Sequence, residues 1–357
     1  MMNIISPEFA AIQEERYQLV LMLKALKKKD PVRCSGFSAF NPSFLSAVFK
    51  SLLSVPAFTK LFSLDASGEL ENMLLKENRL YSDFYMTGYS YIGIWDMSGM
   101  ECLATWDEPE YEFVQCVLRR GDIVYSSHLR SSVVRLWDKN TYEAIGTIEH
   151  ESDGENDYVT ELVIHEYTLY CGCESGTIRL WDLRSLECVS ELKGHTRPVL
   201  CLVLHEDFLY SGGDEGTIKI WDLKSNKCVA TLKVDNFRWS CFLVRDNMLY
   251  NCESGGGMRV WDVSNPSKPA CVAISGELPR VIVCMLFHDN LMYSGTWDGR
   301  IVVLEFRKSE LGLECVTVAT LKVQDCDIEE NEMKRLEIYD NVLYSSCEYT
   351  VEQWKLR

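Results

Sequence analysis

The chain has 357 residues, of which 53 are acidic and 36 are basic, and its formal net charge is −17. Such a negative field repels phosphate backbones, so the charge argues against nucleic acid as a partner. No apolar run approaches the ~20 residues of a membrane helix, and residues 1–26 lack the pattern of a secretory signal, so we expect no membrane partner. The 15 cysteines form no short disulfide framework. We therefore expect a reduced protein of the cytoplasm, with the nucleus as the alternative location.

The first 56 residues differ in pattern from the rest of the chain. Apolar residues at helical spacing predict a helix over residues 7–29, which Pro31 ends, and a second apolar stripe predicts a helix over residues 42–53. We therefore expect residues 1–56 to form a short N-terminal helical segment. It either packs on the rest of the chain or docks on a second protein.

From residue 57 onward the chain repeats itself seven times. An aliphatic residue followed by tyrosine recurs at intervals of 40 to 51 residues, at Tyr81, Tyr125, Tyr170, Tyr210, Tyr250, Tyr293 and Tyr344. About a dozen residues after each tyrosine comes a Trp-Asp pair, at 95–96, 137–138, 181–182, 221–222 and 261–262, or a degenerate pair at 304–305 and 354–355. This period and closing dipeptide are typical of a four-stranded propeller blade. We predict an all-β chain with a seven-bladed β-propeller over residues 57–357.

The best-preserved repeats carry a family resemblance. Residues 176–182 and 216–222 are similar to the consensus of the WD-repeat family, and the resemblance covers roughly residues 57–357. The second strands also resemble those of propellers attached to ubiquitin ligases and to myosin heavy chain kinases. Because the last repeat ends at Arg357 without an outer strand, we expect residues 57–64 to complete the seventh blade and close the ring.

The resemblance also implies a structural role for three residues of the fourth repeat. In the family, a buried hydrogen-bond network of His, Ser, Asp and Trp makes a blade rigid. His195, Ser211 and Trp221 match this network, whereas Glu215 stands where the family usually has Asp.

The cysteines recur at equivalent positions of different repeats, which indicates a shared packing environment and not metal or redox chemistry. One set lies nine residues before the repeat tyrosine and another six residues after the Trp-Asp aspartate. We expect both sets to be core residues: Cys116, Cys201, Cys241 and Cys284 in the first, and Cys102, Cys188 and Cys228 in the second.

The loops between blades, together with the turns between second and third strands, open on one face of a propeller. Acidic residues concentrate in three of these loops, at residues 107–112, 151–157 and 325–332. Arg and aromatic side chains, which are enriched in binding hot spots, lie in other loops of that face. The candidate partner-binding residues are Arg197, Arg238, Trp239, Arg280, Trp297, Glu110, Tyr111, Glu112, Asp153, Glu155, Asp157, Glu329 and Glu330. They predict a protein or peptide partner with a basic segment, unless the acidic loops are merely solvated.

No catalytic set of nucleophile, base and orienting group, no phosphate loop and no metal-ligand cluster emerges from the sequence, and we expect no cofactor. The pattern favours a non-enzymatic protein–protein interaction scaffold that works within a multiprotein complex. The alternative is a substrate-recognition subunit of a ubiquitin ligase, in which residues 1–56 dock on the ligase core. An enzyme is disfavoured.

Overall fold

The computed structural model describes residues 73–86, 89–96, 101–107, 114–149, 157–234, 241–252, 257–274, 281–309, 312–322, 333–340, 342–347 and 350–355. These residues form 27 strands in seven antiparallel sheets, which we number as blades 1 to 7 in chain order. The predicted helices of residues 1–56 and the predicted closing strand of residues 57–64 lie outside the described residues.

The strands of the first four blades are as follows. Blade 1 contains β1 (Met73–Lys76), β2 (Arg79–Met86), β3 (Tyr89–Asp96) and β4 (Glu101–Asp107). Blade 2 contains β5 (Val114–Arg120), β6 (Ile123–His128), β7 (Val133–Asp138) and β8 (Ala144–Glu149). Blade 3 contains β9 (Val159–His165), β10 (Thr168–Cys173), β11 (Ile178–Asp182) and β12 (Glu187–Leu192). Blade 4 contains β13 (Val199–His205), β14 (Phe208–Gly213), β15 (Thr217–Asp222) and β16 (Lys227–Lys233).

The remaining blades follow the same plan. Blade 5 contains β17 (Phe242–Arg245), β18 (Met248–Cys252), β19 (Met258–Asp262) and β20 (Ala270–Ile274). Blade 6 contains β21 (Ile282–His288), β22 (Leu291–Thr296), β23 (Arg300–Ser309) and β24 (Gly312–Lys322). Blade 7 contains β25 (Met333–Tyr339), β26 (Val342–Cys347) and β27 (Thr350–Lys355).

The first strand of every blade contacts the first strand of the next blade, and β25 of blade 7 contacts β1 of blade 1. These seven strands therefore form the inner wall of a closed ring, and the expected seven-bladed propeller is confirmed. The repeat tyrosine lies in the second strand and is buried in all seven blades. Apolar clusters fill the spaces between consecutive blades from 1 to 7, so that packing of one blade on the next holds the ring together.

The lower end of the ring is the end that carries the turns between first and second strands. There, the last residue of several inner strands reaches the neighbouring blade. The Lys76 ammonium donates to the Arg119 carbonyl at 3.2 Å, and the Arg120 guanidinium lies 4.7 Å from the centre of the Tyr167 ring. His205 Nε2 lies 3.2 Å from Asn247 Oδ1. These contacts join blades 1 to 2, 2 to 3 and 4 to 5, so these side chains stabilise the blade junctions.

A β-bulge lies beside the Trp position of the third strand in each of blades 1 to 6. In blade 4, Ile220 pairs with Ala230 and Trp221 pairs with Cys228, so Val229 is the extra residue of the outer strand. The outer strand is the perimeter of the ring, and Cys188 and Cys228 are exposed there. The expectation that these two cysteines are core residues was wrong, because a thiol opposite the Trp backbone at the edge of the sheet faces solvent.

The other set of cysteines lies on the inner wall. Cys116 is buried, and Cys201, Cys241 and Cys284 are partly buried. Burial is the main reason why the pKa of the Cys116 thiol lies well above its ordinary value. Among the described residues, no helix is long and apolar enough to span a membrane.

Candidate functional site

The upper face of the ring carries the loops that lead from one blade to the next and the turns between second and third strands. In three blades the same backbone hydrogen bond joins these two features. Asp214 N donates to Pro198 O at 2.9 Å, Trp297 N to Val281 O at 3.0 Å and Glu174 N to Tyr158 O at 2.9 Å. Because the bond uses only backbone atoms, it holds the turn while leaving side chains at its tip free to vary in chemistry.

Two predicted partner-binding residues project from this framework. The Arg197 side chain is 65% exposed, and its Nη1 lies 3.4 Å from Asp214 Oδ2 at the tip of the blade 4 turn. Trp297 is 50% exposed in the blade 6 turn. Such a large apolar surface costs free energy in water and gains it when a partner covers it. Both residues therefore lie where the sequence places them, on the upper face and accessible.

The loop that carries Arg197 is anchored by the network of blade 4. Trp221 Nε1 donates to Ser211 Oγ at 2.8 Å, and Ser211 Oγ lies 2.6 Å from His195 Nε2. His195 Nδ1 lies 2.5 Å from Glu215 Oε1, and Thr217 Oγ1 also donates to that carboxylate oxygen. The longer Glu215 side chain therefore occupies the place of the usual Asp, and all four members are connected. Gly213 makes room for it, since a Cβ there would lie 2.3 Å from Glu215 Oε2 and 2.4 Å from His195 Nδ1.

Electrostatics favours a neutral imidazole in this network. Burial lowers the pKa of His195 below its ordinary value and outweighs the attraction of the Glu215 carboxylate. Burial alone would raise the pKa of Glu215, but hydrogen bonds from Thr217 and His195 outweigh it and the pKa lies below its ordinary value. The consistent assignment is that Nδ1–H donates to the carboxylate while Nε2 accepts from the Ser211 hydroxyl.

Asp157 differs from its predicted environment. The sequence places it at the end of an acidic loop open to a partner, but the residue is only 7% exposed. Its Oδ1 accepts a hydrogen bond from Ser175 N at 2.9 Å, and its Oδ2 lies 3.0 Å from Arg179 Nη2. Asp157 therefore fastens the loop to the turn and third strand of blade 3, since a buried carboxylate needs these partners.

The other candidate partner-binding residues lie outside the described residues, and both their location and their roles stay predictions: Arg238, Trp239, Arg280, Glu110, Tyr111, Glu112, Asp153, Glu155, Glu329 and Glu330.

The structure adds a residue pair that sequence reasoning missed. Leu129 is 46% exposed in the turn between the second and third strands of blade 2, on the same face as Trp297. Arg130 follows it with a φ of 60°, in the left-handed region that residues with a Cβ seldom adopt. A signal was present, since Leu129 interrupts an otherwise polar turn.

Comparisons with known proteins agree with this architecture. The model of the family described as "WD domain, G-beta repeat" matches residues 186–222. Myosin heavy chain kinase C of Dictyostelium discoideum is 32% identical over 123 residues, which are 34% of this chain and 15% of that protein. Mitochondrial division protein 1 of Emericella nidulans is 30% identical over 142 residues, which are 40% of this chain and 18% of that protein. The chain thus spans less than a fifth of the length of these curated relatives.

Solved structures show the same fold at low sequence identity. A chain of the crystal structure of the mitotic checkpoint complex has a TM-score of 0.68 at 15% identity, covering 85% of this chain and 94% of that chain. The structure of U3-55K has a TM-score of 0.66 at 14% identity, covering 83% of this chain and 98% of that chain. The match to the family model identifies residues 186–222 as a WD repeat. The seven sequence repeats and the closed ring of blades agree with the WD-repeat family, and the solved structures share the fold.

Proposed function

We propose that this chain is a non-enzymatic protein-interaction scaffold and that the upper face of the propeller receives its partner. WD-repeat propellers generally bind proteins and work in complexes. The observation that carries the proposal is the exposure of Trp297 and Arg197 on one face, on turns and loops that backbone hydrogen bonds and the His195 network hold in place. Rigid presentation lowers the entropy that binding costs.

The charge of the chain supports a partner segment with basic residues. The net charge is −17, and acidic residues concentrate within 107–112, 151–157 and 325–332, three loops that the sequence predicts on this face. Complementary charge speeds encounter and orients the partner more than it adds affinity. The aromatic and Arg side chains would then provide most of the binding free energy, and the acidic loops would set its direction.

Quantitative affinity capture tests the proposal. The full chain carrying Arg197→Ala and Trp297→Ala is compared with the unmodified chain, and Val189→Ala is the control, because Val189 is an exposed apolar residue on the outer rim of blade 3. We expect the double variant to capture its partners in amounts lower by about tenfold or more, the loss that hot-spot residues typically cause. The control should capture the same amounts as the unmodified chain. Equal capture by all three forms would reject the upper face as the binding surface.

The same experiment addresses the narrower role of substrate recognition for a ubiquitin ligase. That role requires ligase subunits among the captured proteins, and their capture should survive Arg197→Ala and Trp297→Ala, because the predicted docking segment is residues 1–56. If no ligase subunit is captured by any form, the general scaffold role remains.

A further inference from the structure

One level of the inner wall is rich in thiols. In blades 2 to 7, the residue nine positions before the repeat tyrosine lies in the innermost strand or, in blade 5, directly before it. This set is Cys116, Glu161, Cys201, Cys241, Cys284 and Arg335. In five of these blades the residue directly opposite on the second strand is Gly or Ser: Ser127, Gly172, Gly212, Gly295 and Ser346. Blade 5 differs, since Cys252 N donates to Cys241 O at 3.0 Å and a second cysteine therefore faces the first.

The two thiols of blade 5 and a thioether of blade 6 belong to one apolar cluster. Cys241 pairs with Cys252 through its backbone, and Cys241 Sγ lies 4.0 Å from Ile282 O, at the start of β21. Cys252 Sγ lies 4.0 Å from Met285 Sδ, which belongs to β21 of the next blade. Cys252 is buried, and Cys241 and Met285 are partly buried at the inner wall. The group is therefore mostly enclosed.

The surroundings of this group are also rich in sulfur. Of the 17 side chains in the apolar cluster between blades 5 and 6, seven belong to Cys or Met. In the described part of the chain, no group of three or more His, Cys, Asp or Glu residues is arranged to hold a metal ion. The described residues therefore form no site for zinc or for a hard cation. A site with a methionine thioether among its ligands is a separate case, because methionine is not one of these four residue types.

We propose that Cys241, Cys252 and Met285 bind one Cu(I) ion through two thiolates and one thioether. Thiolate and thioether are the soft ligands that select Cu(I) over the harder divalent ions. Three sulfurs placed around one metal at the usual metal–thiolate distance of ~2.3 Å lie ~4 Å from one another. The separation of 4.0 Å between Cys252 Sγ and Met285 Sδ already has this value.

Binding exchanges protons for the metal. Cu(I) binds the thiolate form of cysteine, so each of the two thiols gives up its proton when the metal binds. When Cu(I) forms two bonds to sulfur, the two thiol protons pass to water, and the copper keeps its oxidation state. The apparent affinity therefore rises with pH.

The test uses the full chain under anaerobic conditions with a phosphine reductant, titrated with Cu(I) against a chromophoric chelator such as bicinchoninate. Because exposed thiols also bind Cu(I), the parent form carries Cys188→Ser, Cys228→Ser and Cys271→Ser, three exposed positions of the outer strands. We expect this parent to hold one equivalent of Cu(I). Cys252→Ser should weaken the affinity by at least ~100-fold, beyond the ~10–100-fold that loss of an outer-shell partner costs.

The matched control is Cys347→Ser, because Cys347 is another buried thiol beside a thioether, with its Sγ 3.8 Å from Met333 Sδ in blade 7. It should bind Cu(I) like the parent. Met285→Leu, which keeps the volume of the side chain, should remove one sulfur from the copper shell seen by X-ray absorption, and this readout holds even if Cys252→Ser disturbs the fold. Adventitious binding at the exposed thiols only, equal affinity in Cys252→Ser, or an unchanged sulfur count in Met285→Leu would each overturn the proposal.

Discussion

Replacing Ser211 by Ala tests whether the network of blade 4 acts as a unit. The Ser211 hydroxyl accepts from Trp221 Nε1 at 2.8 Å and lies 2.6 Å from His195 Nε2, and all three side chains are buried. Alanine removes both bonds and leaves the indole N–H and the imidazole nitrogen without this partner. A buried polar group left unsatisfied costs about 1–3 kcal/mol. For two such groups we expect the free energy of unfolding to fall by about 2–4 kcal/mol.

Ser126→Ala in blade 2 is the matched control. Ser126 is equally buried and accepts from Trp137 Nε1 at 2.9 Å, the equivalent bond in a blade where no His–Glu pair joins the network. Its loss should cost only about 1–2 kcal/mol. Urea unfolding followed by tryptophan fluorescence measures both variants, and the shift in midpoint should be clearly larger for Ser211→Ala. Equal shifts would show that His195 adds nothing to the stability of the blade and would contradict a network that acts as a unit.

Three further predictions concern pH, backbone and thiols. The pKa of His195 is lowered in the folded state. Below the ordinary His pKa of ~6.5 the unfolded chain therefore binds more protons than the folded chain, and the free energy of unfolding falls as pH decreases. The urea midpoint should fall less between pH 7.5 and 5 in His195→Gln than in the unmodified chain. Gly176→Ala should lower the thermal unfolding midpoint, because Gly176 has a φ of +84° and a Cβ there would lie 2.7 Å from the Arg197 carbonyl oxygen. Gly146→Ala should leave the midpoint unchanged, because a Cβ at Gly146 would have nothing within 4 Å. Maleimide labelling of the native chain, followed by mass mapping, should rapidly modify the exposed thiols of Cys188, Cys228 and Cys271. The buried thiols should react only after unfolding: Cys116, Cys171, Cys173, Cys252 and Cys347.

The blade pattern was predictable because it depends on local periodicity. The sequence of the fourth repeat predicts strands at residues 199–204, 208–211, 217–221 and 228–232. The structure extends each of them by one or two residues at one or both ends. Alternating apolar residues and the turn at Glu206 and Asp207 are visible in one sequence. Pairing partners then follow from chain order, since each strand pairs with its neighbour.

The environment of individual side chains was less predictable. Cys188 was expected in the core, but the bulge beside Trp181 shifts the register of the outer strand by one residue, and a shift of one residue exchanges the two faces of a strand. Asp157 looked like a solvated loop acid because its partners Ser175 and Arg179 lie about 20 residues away in sequence. Only the fold brings these groups together.

Hydrogen–deuterium exchange of the full chain, with and without a captured partner, locates the binding surface of the propeller. We expect protection on the upper face at residues 129–131, 196–198 and 297–299, where Leu129, Arg197 and Trp297 are exposed. We expect unchanged exchange in the outer strands β12 and β20. Protection confined to those outer strands, or to the turns at the lower end of the ring, would contradict the assignment of the upper face as the binding surface.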